Sequence, residues 1–128
     1  MATPLEVLAT ARYVQLTTFR RDGRPVPTPV WCARRGADIV IWTGPEAGKV
    51  KRIRRDPRVS IAPCTARGRP LGRDIEARAR ILDPAEVDDV FAALGRKYGW
   101  QFRLTTLGRT LGRLIGRTPD AAALAVRL

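Results

Sequence analysis

Arg24-Pro25-Val26-Pro27-Thr28-Pro29-Val30-Trp31-Cys32-Ala33 carries proline at every second position from 25 to 29. In an extended chain, residues two apart turn their backbone N–H groups to the same side, so the three missing donors fall on one edge. A central strand cannot spare them. The segment is therefore expected to be a strand with one unpaired side, or one whose backbone faces a ligand. Just upstream, residues 12–19 (RYVQLTTF) alternate apolar and polar side chains and are rich in strand formers. Arg21-Asp22-Gly23 between the two runs is a hairpin signal. Downstream, Arg35-Gly36-Ala37-Asp38 reads as another turn and residues 39–43 as a buried strand.

Further out, Thr3-Pro4 before Leu5-Glu6-Val7-Leu8 predicts an N-cap, proline at the first helical position and a short helix. Residues 58–63 alternate as a strand, and residues 65–73 (TARGRPLGR) are a glycine-rich basic loop. Residues 74–82 put Ile75, Ala77, Ala79 and Ile81 on one face and Glu76, Arg78 and Arg80 on the other. Asp83-Pro84-Ala85-Glu86 opens a helix presenting Val87, Val90, Phe91 and Leu94, expected to end near Gly95. Residues 121–128 close the chain as a strand. Six strands with hairpin turns and few helices predict a mainly β, α+β fold: one domain over residues 1–128, a six-stranded antiparallel barrel with helices packed outside.

Residues 43–60 (TGPEAGKVKRIRRDPRVS) set a basic helix between two strands. Gly44, Pro45 and Gly48 delay the helix until about Ala47, and Pro57 ends it. Val50 and Ile53, three apart, face the core and leave the cations outside. Lys49 falls in the first turn, where the helix's unpaired N–H groups make a cation unfavourable. It becomes favourable where an anion sits, because amides and ammonium converge on it. A solvated basic helix explains the same residues equally well.

The 128 residues carry 24 Lys and Arg against 12 Asp and Glu, a net charge of +12. That suggests an anionic partner: nucleic acid, a membrane surface or a phosphorylated ligand. Twenty-one of the cations are arginine, alongside abundant Ala, Gly and Pro, so part of the excess is a compositional bias. There is no histidine, which removes Ser-His and Cys-His nucleophile pairs and His-containing zinc or haem sites. Cys32 and Cys64 each end a strand and are expected as buried free thiols. The apolar runs are too short to cross a bilayer and the first residues lack a signal-peptide pattern, as expected of a cytoplasmic protein. Residues 96–119 hold six cations, no acid, and leucine, glycine and arginine each repeating on helical spacing. The segment reads as an arginine-rich helix on the core, a nucleic-acid-binding helix, a flap over a pocket, or, over residues 102–117, a weak membrane-surface contact.

The runs TFRRDGRPVPTPVW, IWTGPEAGKVKRIRRDPRVSIAPC and GRPLG, in this order, resemble the pyridoxamine 5'-phosphate oxidase-like split β-barrel family. More narrowly, they are similar to its small members that bind the deazaflavin coenzyme F-420. The resemblance covers roughly residues 5–100 and the last strand. It implies a homodimer with two cofactor sites at the subunit interface. Thr28, Pro29, Val30 and Trp31 would flank the ring system, and Trp42-Thr43 matches an aromatic-threonine pair. Gly48-Lys49 matches the phosphate-binding pair, with Val50 supplying an amide. Lys51, Arg52 and Arg55 would serve the phosphate or an acidic tail. Ala62, Pro63 and Cys64 would pass near the ring, and Arg67 and Arg69 would reach polar cofactor groups. The Arg-x-x-x-Leu-Lys pattern of FMN-binding members is absent where Thr28-Pro29-Val30-Trp31-Cys32-Ala33 stands, which favours the deazaflavin over FMN, and no counterpart of the oxidase's pyridoxal-phosphate ligands is found.

The implied activity is hydride transfer from reduced F-420 to a small organic substrate, with the proton donor open among Tyr13, Tyr98 and solvent. An FMN-binding reductase is the alternative. The rival class is a barrel without turnover, carrying a cofactor or binding nucleic acid. The eight aromatic residues do not cluster on adjacent strand positions, so nucleic acid is not expected.

Overall fold

The computed structural model of the chain describes residues 2–43, 48–99 and 122–128. Its elements are α1 (Pro4–Thr10), β1 (Tyr13–Phe19), β2 (Pro25–Val30), β3 (Ala33–Arg35), β4 (Asp38–Thr43), α2 (Gly48–Arg55), β5 (Arg58–Cys64), β6 (Ile75–Ile81), α3 (Val87–Tyr98, after a 3₁₀ turn at Pro84–Glu86) and β7 (Ala122–Arg127). All seven strands pair antiparallel in one curled sheet, in the order β2-β1-β5-β6-β7-β4-β3, forming a split barrel with helices against it. Residues 44–47 and 100–121 lie outside the described residues; they include the turn expected at Gly44 and Pro45 and most of the arginine-rich segment, with its proposed membrane-surface contact. Among the described residues no helix is long and apolar enough to cross a membrane.

Seven strands replace the expected six because the run over residues 24–33 divides at Trp31-Cys32. Most of the run is β2, while its last residue, Ala33, opens the short β3, which takes Arg35 out of the expected turn; β2 and β3 are the two outermost strands of the sheet. Two residues therefore connect the sheet's opposite edges, and this link brings the curled sheet round on itself. Val14, Leu16 and Thr18 stand opposite Val30, Thr28 and Val26. The even-numbered N–H groups of β2 face β1, so Pro25, Pro27 and Pro29 turn their missing donors to the open edge.

Continuing that register would put Arg12 opposite Cys32. Instead the ladder stops, and the side chain of Tyr98 enters the gap. Its hydroxyl accepts from the Cys32 N–H at 3.0 Å and donates toward the carbonyls of Arg12 (2.8 Å) and Cys32 (3.0 Å). The adjacent Lys97 ammonium donates to the carbonyls of Ala11 (2.6 Å) and Cys32 (2.8 Å). Buried backbone groups need such partners wherever a ladder breaks. This also corrects the helix end: α3 runs through Gly95 to Tyr98 and stops at Gly99, whose φ of 64° suits glycine. An interior glycine costs roughly 1 kcal/mol relative to alanine. The burial and hydrogen bonding of Tyr98 outweigh it.

Two apolar layers hold the sheet. Inside the barrel, Val14, Leu16, Ile39, Ile41, Val59, Ile61, Leu124 and Val126 meet Leu8 of α1 and Ile53 of α2. On the outer face of β3, β4 and β7, Val40, Ala123 and Ala125 meet Val87, Val90 and Leu94 of α3, with Trp31, Trp42 and Phe91 at the margin. The Thr3 hydroxyl caps α1 by accepting from the Glu6 N–H at 3.2 Å. Cys32 and Cys64 are both free and buried. Burial pushes both thiols upward in pKa.

Asp38, only 5% exposed, starts β4 and accepts from Arg127 Nε of β7 at 2.8 Å and Arg80 Nη2 of β6 at 3.2 Å. It ties three neighbouring strands in one register. Both arginines are largely exposed, so the pairs sit at the weak end of charge-assisted bonds. Asp38→Asn is expected to lower stability by about 1.5 kcal/mol, read as a shifted urea midpoint with an unchanged slope.

Candidate functional site

The first half of the site is at the start of α2. With Val50 and Ile53 buried, the helix must turn Lys49 and Arg52 toward the barrel rim. Lys49 is half-buried, and its Nζ donates to Thr43 Oγ1 at 3.5 Å, a long contact. Arg52 folds back over Gly48 and donates from Nε to the buried Thr18 hydroxyl at 2.6 Å. A Cβ at Gly48 would meet Arg52 Nη1 at 2.7 Å, so glycine makes room for the guanidinium. Arg55 donates to the Phe19 carbonyl at 2.7 Å, and Arg58 lies 4.8 Å over the Phe19 ring.

These cations crowd one another. Burial lowers the Lys49 pKa, and neighbouring Arg52 lowers it further. Burial, then Arg20 and Arg55, lower that of Arg52. Among the described residues no carboxylate pairs with Lys49 or Arg52. A rim of partly desolvated cations, an N–H-rich helix start and two threonine hydroxyls form a donor set that matches a phosphate.

The second half is a cavity of about 300 Å³ lined by Tyr13, Pro29, Val30, Trp31, Trp42, Ala66 and Leu94. It opens where the β1–β2 ladder stops. The Trp31 indole stacks on Tyr98, centroids 4.7 Å apart and planes within 12°. Trp42 packs on Phe91 at 5.1 Å, tilted by 54°. Walls of this kind take a flat, largely apolar ring system. Trp42 and Thr43 are consecutive on β4, so one strand end serves both halves, the indole facing the cavity and the hydroxyl facing Lys49.

The expected site residues thus divide. Pro29, Val30, Trp31 and Trp42 line the cavity, while Thr43, Gly48, Lys49 and Arg52 form the basic rim. Thr28 donates from its hydroxyl to the Leu16 carbonyl at 3.3 Å, within its own ladder. The Val50 side chain is buried in the core, and its backbone lies in the first turn of α2. Pro63 lines a different hollow, beside Pro4, Val7 and Leu71. Cys64 is buried opposite Tyr13 on β1. Arg67 is exposed on the loop beside Ala66, and Lys51 and Arg55 are exposed on α2. Thr18, Arg20, Ala66 and Leu94 were not expected. Strand alternation puts Thr18 on the inward face with Val14 and Leu16, the one signal in the sequence that leads to it.

A model of the family described as pyridoxamine 5'-phosphate oxidase matches residues 4–124. Among solved structures, a conserved hypothetical protein from Mycobacterium tuberculosis is 20% identical, covering 98% of this chain and 79% of that one, with a TM-score of 0.69. An F420 reductase is 20% identical, covering 99% and 94%, with a TM-score of 0.61. HutZ, a haem storage protein from Vibrio cholerae, is 15% identical, covering 91% and 81%, with a TM-score of 0.64. At these identities the structures share the fold. No curated protein matches the chain in sequence.

An ammonium held half-buried beside another cation stabilises nothing by itself. Its folded pKa lies below its unfolded value, so the charged form opposes folding at neutral pH. Lys49→Met should therefore leave the melting temperature of the ligand-free protein unchanged or raise it, by the equivalent of at most about 1 kcal/mol. A clear fall would show that the ammonium is structurally paired.

Proposed function

Since the chain belongs to the pyridoxamine 5'-phosphate oxidase family, we propose that it is an oxidoreductase that binds a phosphate-bearing, flavin-like cofactor, more narrowly coenzyme F-420, and reduces a small organic substrate. The observation that carries this reading is Lys49: partly desolvated, beside Arg52, at a helix start, and facing no described carboxylate. Lys49, Arg52 and the first amides of α2 would hold the phosphate. The cavity between Tyr13, Trp31 and Trp42 would receive the ring. When bound, the deazaflavin supplies a hydride donor. The chain's own part is to hold the phosphate, set the ring plane against Trp31 and keep water from the reacting face with Pro29, Val30 and Leu94.

Tyr98 is spent on backbone groups of Arg12 and Cys32, and burial pushes its pKa up, so it does not serve as proton donor. Tyr13 lines the cavity and takes that place. F-420 is preferred to FMN because Thr28-Pro29-Val30-Trp31-Cys32-Ala33 lacks the basic pattern that FMN-binding members show on this strand, and because the similar F420 reductase is nearly coextensive with this chain. The chain's lack of histidine leaves no imidazole for a haem iron, so the role named for HutZ is not carried over. The reading includes a homodimer joined through side chains such as the exposed Leu71, because the prolines leave the β2 edge without donors for strand pairing.

Titration of the purified protein with F-420, FMN and a short oligonucleotide tests the reading. F-420 should bind, and Lys49→Glu should abolish binding while circular dichroism stays the same; unchanged affinity sinks the phosphate assignment. Affinity should also depend on pH in one direction. A bound phosphate raises the depressed Lys49 pKa, so affinity is full below the free-protein value and falls as pH rises from there toward the bound value. Titrations rising from neutral pH to the ordinary lysine value, about 10.4, and beyond it read this directly. Light scattering at micromolar concentration should give twice the chain mass.

A further inference from the structure

We infer that Tyr98 is a positioning residue for the cavity, setting the gap between Tyr13 and Trp31 and fixing the plane of the Trp31 indole. The inference rests on the reading above, because it takes the cavity to receive a planar ring.

The geometry is that of a substituted rung. Pro25, Pro27 and Pro29 require the even-numbered N–H groups of β2 to face β1, and Val14 stands opposite Val30. The next bonded pair would be Cys32 N–H to Arg12 carbonyl, two positions on. The Tyr98 hydroxyl occupies that rung, accepting at 3.0 Å from one group and donating at 2.8 Å to the other. A direct N–H···O bond spans about 2.9 Å, whereas this bridge spans two hydrogen bonds, so the backbones stand apart. Tyr13 and Trp31, the side chains that follow Arg12 and precede Cys32, are both cavity walls. The opening therefore exists because an oxygen has been set into the ladder.

The same side chain acts a second way. Its ring lies parallel to the Trp31 indole at 4.7 Å, so the wall cannot turn without losing the stack. Lys97 braces the arrangement, with Nζ bonded to the carbonyls of Ala11 and Cys32 and 5.0 Å from the Tyr98 ring centroid. Tyr98 is 7% exposed and reaches the cavity only through Trp31 and the two backbones, which is why its role is to position.

The test uses two probes on the full chain: lumichrome, an uncharged planar ring without phosphate, and F-420. Tyr98→Phe keeps the stack and removes the rung. Measured well below its own melting midpoint, it should raise the Kd of both probes by the same factor, about tenfold. Lys49→Met should raise the Kd of F-420 alone. An unchanged lumichrome Kd in Tyr98→Phe, with only a lowered melting temperature, overturns the inference and leaves the cofactor reading standing. No lumichrome binding by the unsubstituted protein overturns the inference together with the ring half of that reading, while the Lys49 variants judge the phosphate half separately. Should Tyr98→Phe not fold, Lys97→Met carries the test. It cuts the other tie to Cys32 and should weaken lumichrome binding in the same direction; an unaltered Kd overturns the inference.

Discussion

One hydroxyl group closes this fold. The sheet begins with β2 and ends with β3, and the chain passes from one to the other through Trp31 and Cys32. At that passage the backbone leaves one ladder before joining the next, and its polar groups would be stranded in a buried place. Tyr98 and Lys97, brought there by the last turn of α3, supply the missing partners. An unsatisfied buried amide costs on the order of 1–3 kcal/mol, a large share of the stability of a domain this size. The docking of α3 is thus coupled to barrel closure, and the aromatic cavity lies on the seam between them.

The other half of the site carries a cost of its own. Lys49 and Arg52 are held close together and partly out of water, against threonine hydroxyls that carry no compensating charge. Burying Val50 and Ile53 leaves α2 no freedom to turn these cations away. The helix is anchored by its apolar side, and the strain falls on its polar side, where an anion would relieve it. The arginines farther along reach solvent, backbone carbonyls or the Phe19 ring, and contribute a surface field more than a site.

Much of this was legible because it is local. The Thr3 cap, the turns at Gly23 and Gly36, the alternation of β6 and the two core residues of α2 each follow from chemistry within a few positions. So does the lysine in the first turn of α2. Gly95 shows where local reasoning fails. Read by propensity it ends the helix, yet Leu94 and Tyr98 are four apart and share a face, and the buried end of that face holds the helix past the glycine. Thr18 joins the site through a contact 34 positions away, and Ala66 by sharing a cavity wall with residues 24 or more positions away, which no short-range pattern encodes.

By itself the sequence determined the antiparallel strands, the open edge marked by three prolines and the cation at the head of α2, because dihedral limits and missing donors act on each residue wherever it stands. Only the tertiary structure decided that the proline run would split into the first and last strands of one sheet. It alone decided that a tyrosine 66 positions from Cys32 would fill the broken rung, and that this gap would open into a cavity. Those outcomes depend on long-range register, and register is settled when the two apolar layers pack together, not by any stretch of chain alone.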